Sequence, residues 1–165
     1  MRRLLLATAL ALGLAAPAAA QAPRSLAIGM GGVPTGYDPH FHSTNNNNAQ
    51  LRQIFNTLVD LDTRGGLFGV LAESWRVVDD NTWEFRLREN IRFHDGTPFS
   101  PDDIAFSIAR VPTIQNSPGN FATQVRPVSR VEVVDDRTVR LHTSAPTPFL
   151  DRDFAQVFML SRRIH

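Results

Sequence analysis

Cysteine is absent from the 165-residue chain. That excludes disulfides, thiolate metal sites and cysteine nucleophiles. Charge of one sign is not in excess either: 20% of residues are charged and the formal net charge is +1. With 42% hydrophobic residues this is an ordinary globular balance, and it argues against disorder and against a nucleic-acid-binding surface. No stretch carries the G-x-S-x-G or H-E-x-x-H arrangements of hydrolases, so nothing in the chain reads as catalytic machinery. Both phosphate-loop spacings are missing from the glycine-rich run Met30-Gly31-Gly32-Val33-Pro34-Thr35-Gly36, where Pro34 also removes a donor N–H. The apolar run at residues 4–14 is too short to span a bilayer.

That run has another reading. Arg2 and Arg3 precede it, and small residues up to Ala20 follow it. This is the layout of a secretory signal peptide, cleaved after Ala20 or Ala22. Arg2 and Arg3 make an ordinary positive n-region rather than a twin-arginine export signal. A lipoprotein anchor needs cysteine, so the mature chain is expected to be free in the periplasm.

After the leader, residues 24–29 read as a short strand. Residues 41–48 are polar, with four consecutive asparagines. His40 and His42 form an H-x-H pair, but no third ligand follows at a clear spacing, so no metal is expected. Residues 49–58 read as an amphipathic helix through Leu51, Ile54, Phe55 and Leu58. Val59 and Leu61 alternate with Asp60 and Asp62, a strand leading into the turn Thr63-Arg64-Gly65-Gly66.

Residues 71–106 organise the chain. Trp83, Phe85 and Leu87 alternate with Glu84, Arg86 and Arg88, the period of a strand with one buried face. Trp75 and Val77 belong to the preceding strand, and Asp79-Asp80-Asn81 supplies the turn. His94-Asp95-Gly96-Thr97-Pro98 is a second turn; Asp-Gly there is turn chemistry, not an acid–base pair. Ser100 then caps a helix that starts at Pro101 and stops near Pro112, with Asp102 and Asp103 at its positive end. Further on, Val133-Val134-Asp135-Asp136-Arg137-Thr138-Val139 repeats the pattern of residues 77–83. Two hairpins of one construction imply one antiparallel sheet.

Leu71, Ala72, Trp75, Leu87, Arg88, Phe93, His94, Asp95, Gly96, Pro98, Asp102 and Asp103, in this order and spacing, resemble a known family. It is that of the extracellular solute-binding proteins, family 5, of bacterial peptide and nickel ABC importers. The resemblance runs from about residue 26 to the end, and includes Asp38-Pro39-His40 and Pro146-Thr147-Pro148-Phe149-Leu150. It implies an α/β fold of periplasmic-binding-protein type II, α+β in the part present. Relatives have two lobes around a cleft and a small extra domain. On that pattern residues 1–22 are the signal peptide, 23–54 the start of lobe one, and 55–165 the small α+β domain. On the same pattern the second lobe is expected to be absent and the chain to be a fragment.

The resemblance also implies ligand contacts from Ser43, Thr44 and Asn45, which match a cleft loop of peptide-binding relatives. Phe121, in the Ser-Pro-x-x-Phe-like loop of residues 117–121, is the candidate aromatic leaning toward the ligand; a plain core aromatic is the other reading. The implied function is periplasmic capture of oligopeptides, dipeptides or related small solutes for an inner-membrane ABC permease, by a monomer without a cofactor. Nickel-chelate, haem, glutathione or sugar binding within the same family, and a secreted non-transport α+β domain, are the alternatives.

Overall fold

The computed structural model describes residues 25–163 except Met30 and Pro34. The leader reading lies outside the described residues. The chain divides into two units, Met1–Met30 and Gly31–His165. In the first, residues 25–29 form no strand, and Leu26 and Ile28 are 84% and 75% exposed. The strand expected at residues 24–29 is therefore corrected for the five of them described. An extended segment becomes a strand only when its N–H and C=O groups meet a partner.

The second unit is built on a four-stranded antiparallel sheet. Its strands are β3 (Ala72–Asp79), β4 (Thr82–Leu87), β5 (Val128–Asp135) and β6 (Thr138–Thr143), in the spatial order β3-β4-β6-β5. The two hairpins are built alike. Asp79 accepts the N–H of Asn81 at 2.9 Å, and Asp135 accepts that of Arg137 at 2.8 Å. Such Asx contacts turn the chain without a glycine. A register shift precedes each turn, between Val77 and Asp79 and between Val133 and Asp135. The hairpins then cap one another. Leu87 donates its N–H to Arg137 O at 2.7 Å, and Thr143 donates to Asn81 O at 2.8 Å.

One face of the sheet is core. Phe85, Val139 and Leu141 are fully buried there with Trp83 and Leu87. Phe85 packs on Phe154 with ring centroids 6.2 Å apart. The other face carries a row of charges set by register: Arg76 opposite Glu84, Glu84 opposite Arg140, Arg140 opposite Glu132. Arg76 donates to Glu84 at 2.6 Å and Arg140 does so at 2.9 Å.

The remaining elements surround the core face. A hairpin of β1 (Val59–Leu61) and β2 (Leu67–Gly69) is tightened by Asp62, which accepts the N–H groups of Arg64 and Gly66. Helix α2 (Pro101–Arg110) opens as its sequence requires: the Asp103 carboxylate accepts the Ser100 N–H at 2.9 Å and the Ser100 hydroxyl at 2.8 Å. It ends in a turn of 3-10 helix, Val111–Thr113, which absorbs Pro112. Two single-turn helices follow, α3 (Ala122–Val125) and α4 (Leu150–Asp153). Residues 154–160, buried except for Gln156, close the core.

Helix α1 (Asn45–Leu51) differs from expectation. It begins inside the asparagine run and ends seven residues short of Leu58. Asn56 and Thr57 are extended instead, because Asn56 O accepts the Met159 N–H at 2.9 Å and Thr57 bridges to Phe158. Ile54, on the supposed buried stripe, is 42% exposed. A non-local pairing here outweighs helix propensity.

Candidate functional site

Two loops flagged in the sequence meet in space. The first, residues 41–44, contains Ser43 and Thr44 and runs into Asn45; the second, residues 115–121, ends at Phe121. His42 and Gly119 form a parallel bridge. The Ser43 N–H and the Ser43 hydroxyl both donate to Gly119 O at 2.9 Å. From the other side, the Ser117 hydroxyl donates to Phe41 O at 2.6 Å. The loops are thus stitched at three points within a few residues.

Ser43, Thr44 and Asn45 are all exposed. Thr44 is the extended residue before α1, and its carbonyl accepts the Asn48 N–H at 2.9 Å. Asn45 is the first residue of α1, not a loop residue as the sequence implied. Phe121 behaves differently. Its ring has 0% exposure and stands edge-on against Phe158, with centroids 6.2 Å apart. In this structure it is a core aromatic that supports the second loop from beneath.

The chemistry these groups offer follows from their partners. Ser43 has spent both donors on Gly119, so its hydroxyl oxygen is left as an acceptor. Thr44 and Asn45 add a hydroxyl and an amide that both donate and accept. Such a patch suits a solute rich in N–H and C=O groups and provides no nucleophile paired with a base.

Sequence reasoning missed what holds the first loop. Arg110, the last residue of α2, forks onto Asp38 with Nη1–Oδ1 at 3.0 Å and Nη2–Oδ2 at 2.7 Å. That guanidinium is the chief reason the Asp38 carboxyl lies below the usual carboxylate range; the His40 N–H, donated to Oδ1 at 2.9 Å, adds to it. His40 itself is fully buried, with Nε2 2.8 Å from Phe158 O. Asn47 is buried too. Its Oδ1 accepts the Thr35 N–H at 3.2 Å and its amide donates to Thr35 Oγ1 at 3.1 Å. The Asp-Pro dipeptide was visible in the sequence, but a partner 72 residues away leaves no local signal.

His40 and His42 do not form a metal centre with a third group: among the described residues no three His, Cys, Asp or Glu side chains are placed to hold an ion. No described helix is long and apolar enough to cross a membrane. Asp95, beside His94, accepts the Thr97 hydroxyl at 2.7 Å and the Thr97 N–H at 2.9 Å. These bonds, the hydroxyl's first, hold its carboxyl below the usual range. Gly96 at φ +86° completes a turn that a side chain would strain. A hollow of about 390 Å³ lies beside this turn, lined by Phe55, Leu71, Phe93, Phe99 and Met159 among others. None of Ser43, Thr44, Asn45 or Phe121 lines it.

Comparison with known proteins adds to this geometry. The family model described as "Bacterial extracellular solute-binding proteins, family 5 Middle" matches residues 67–164. The chain is 34% identical over 170 residues to di/tripeptide-binding protein 2 of Pseudomonas aeruginosa, covering 90% of this chain and 32% of that protein. It is 34% identical over 150 residues to the dipeptide-binding protein of Escherichia coli, covering 76% and 28% respectively. Among solved structures, Haemophilus influenzae OppA in complex with the peptide RPPGFSPFR superposes with a TM-score of 0.70 at 25% identity, over 79% of this chain and 29% of that one. The chain therefore spans under a third of the length of these three proteins.

Proposed function

The chain belongs to the bacterial extracellular solute-binding proteins, family 5, and from that premise we propose that it takes part in capturing di- and tripeptides or similar small solutes. In this reading it serves a substrate-binding protein that acts as a monomer in the periplasm, after removal of the leader, and passes its solute to an inner-membrane ABC permease. It catalyses no reaction. Ser43, Thr44 and Asn45 contact the solute, and Phe121 backs the loop beside them.

The observation that carries the proposal is the stitching of Ser43 to Gly119. It presents Thr44 and Asn45 outward from a fixed backbone and leaves Ser43 as an acceptor for a ligand N–H. Rigid presentation lowers the ordering cost of binding. A peptide, with an N–H and a C=O at each residue, matches this mixture.

The test is thermal denaturation of the purified chain with a panel of di- and tripeptides, with single amino acids as controls. A peptide present at 100 times its Kd stabilises the folded state by about 2.7 kcal/mol, which is visible as a raised Tm. Asn45→Ala lowers that gain without lowering the Tm of the unliganded chain. Absence of a Tm shift with every peptide overturns the proposal.

A further inference from the structure

We propose that Arg110 is a positioning residue for the ligand loop, and that Asp38-Pro39-His40 is the anchor through which it acts. The purpose assigned to the loop rests on the reading above; the anchor itself does not.

An isolated surface ion pair contributes little, and three observations set this one apart. It is a two-pronged fork, with contacts of 3.0 and 2.7 Å, which fixes the plane of the carboxylate as well as its distance. The same carboxylate accepts the His40 N–H, so the group gripped by Arg110 also shapes the turn that launches the loop. Finally, His40 is sunk in the core against Phe158 O, three residues before Ser43.

The loop is therefore held at both ends. Arg110 and Phe158 grip its start, and Gly119 and Ser117 grip Phe41 and Ser43. Releasing the first grip gives residues 38–42 freedom that Ser43 feels directly, because its two bonds to Gly119 O need residue 43 held in one place. Lysine at position 110 keeps the charge but loses the fork, so it restores only part of the effect.

Amide hydrogen exchange on the isotopically labelled chain reads this directly. The Ser43 N–H, bonded to Gly119 O, exchanges at least about tenfold faster in Arg110→Gln and in Asp38→Asn. In Arg110→Lys the acceleration is smaller. The double variant exchanges no faster than either single one, as expected of partners in one contact. Amides in the middle of β4 stay within about twofold of their original rates, and so does Ser43 when the exposed Arg86 is changed to Gln. In the parent chain Ser43 exchange, corrected for its intrinsic pH dependence, accelerates as pH falls through the depressed Asp38 value, and Asp38→Asn abolishes that step.

Ser43 exchange within twofold of the parent in all three single variants overturns the anchor, whatever the peptide data show. Faster Ser43 exchange in a chain that binds no peptide establishes the anchor and refutes the peptide reading. Where peptide does bind, its affinity falls about tenfold in Arg110→Gln.

Discussion

Glu84 lies between two arginines on the outer face of the sheet, and replacing it with glutamine tests the charge row there. Its carboxylate accepts from Arg76 through Nε at 2.9 Å and Nη2 at 2.6 Å, and from Arg140 through Nε at 2.9 Å. The side chain is only 15% exposed, although Arg76 is 63% exposed and Arg140 33%. Cross-strand charge pairs each contribute about 0.2–1 kcal/mol. Two such pairs set the cost of Glu84→Gln at about 0.4–2 kcal/mol at pH 7. The hydrogen bonds from Arg76, then the one from Arg140, hold the Glu84 carboxyl below its usual value. A depressed carboxylate stabilises the fold fully above its unfolded pKa of about 4.3, and that contribution disappears as pH falls through the folded value. Glutamine does not titrate. The gap between parent and variant should therefore be widest at neutral pH and close toward pH 3. Urea denaturation followed by circular dichroism, repeated from pH 7 to pH 3, measures it. About 1 M salt should shrink the gap as well, because the Debye length falls to about 3 Å. A gap that is the same at both ends of the pH range, or insensitive to salt, would refute the electrostatic account.

Two other changes probe the interior. Phe85→Ala removes a fully buried ring that packs between Trp83, at 6.4 Å, and Phe154, at 6.2 Å; the expected loss is about 3–5 kcal/mol in the same assay, and a loss below about 1.5 kcal/mol would mean the site collapses around the gap. Ser107→Ala removes the hydroxyl that accepts the Leu160 N–H at 2.9 Å and donates to Asp103 O at 2.6 Å. Leaving that buried N–H unpaired should cost about 1–3 kcal/mol, and a change within about 0.5 kcal/mol would show that water replaces the hydroxyl.

The hairpins were legible in the sequence because everything they need is local. Strand alternation and an Asp-Asp turn with Asn or Arg after it decide them, and Ser100 with Asp103 decides the start of α2 in the same way. The charge row was half legible. Glu84 and Arg86 pointed outward by alternation, but the alignment of Glu84 with Arg140 depends on β4 pairing with β6, 56 residues apart. Helix α1 was misplaced for the same reason. The stripe from Leu51 to Leu58 is a fair helical pattern, yet Asn56 and Thr57 pair with residues 158 and 159, which local periodicity does not report. At the candidate site the polar loop was visible and its exposure followed. Its stitches to Gly119 and Ser117, and the grip of Arg110 on Asp38, join segments more than 70 residues apart. Phe121 shows the limit most plainly: an aromatic after Ser-Pro-Gly-Asn has no sequence mark for inward or outward, and packing against Phe158 turns it inward.

The pairing of Thr57 with Phe158, reinforced by Met159 on Asn56, has an architectural corollary. Everything from residue 57 to residue 158 lies on a loop of chain that this short antiparallel pairing closes. A module with such neighbouring ends can be spliced into a host at one point of its surface and interrupt little of it. A carrier that receives this stretch in an exposed turn must also cover the core surface that His40 and Leu51 cover here.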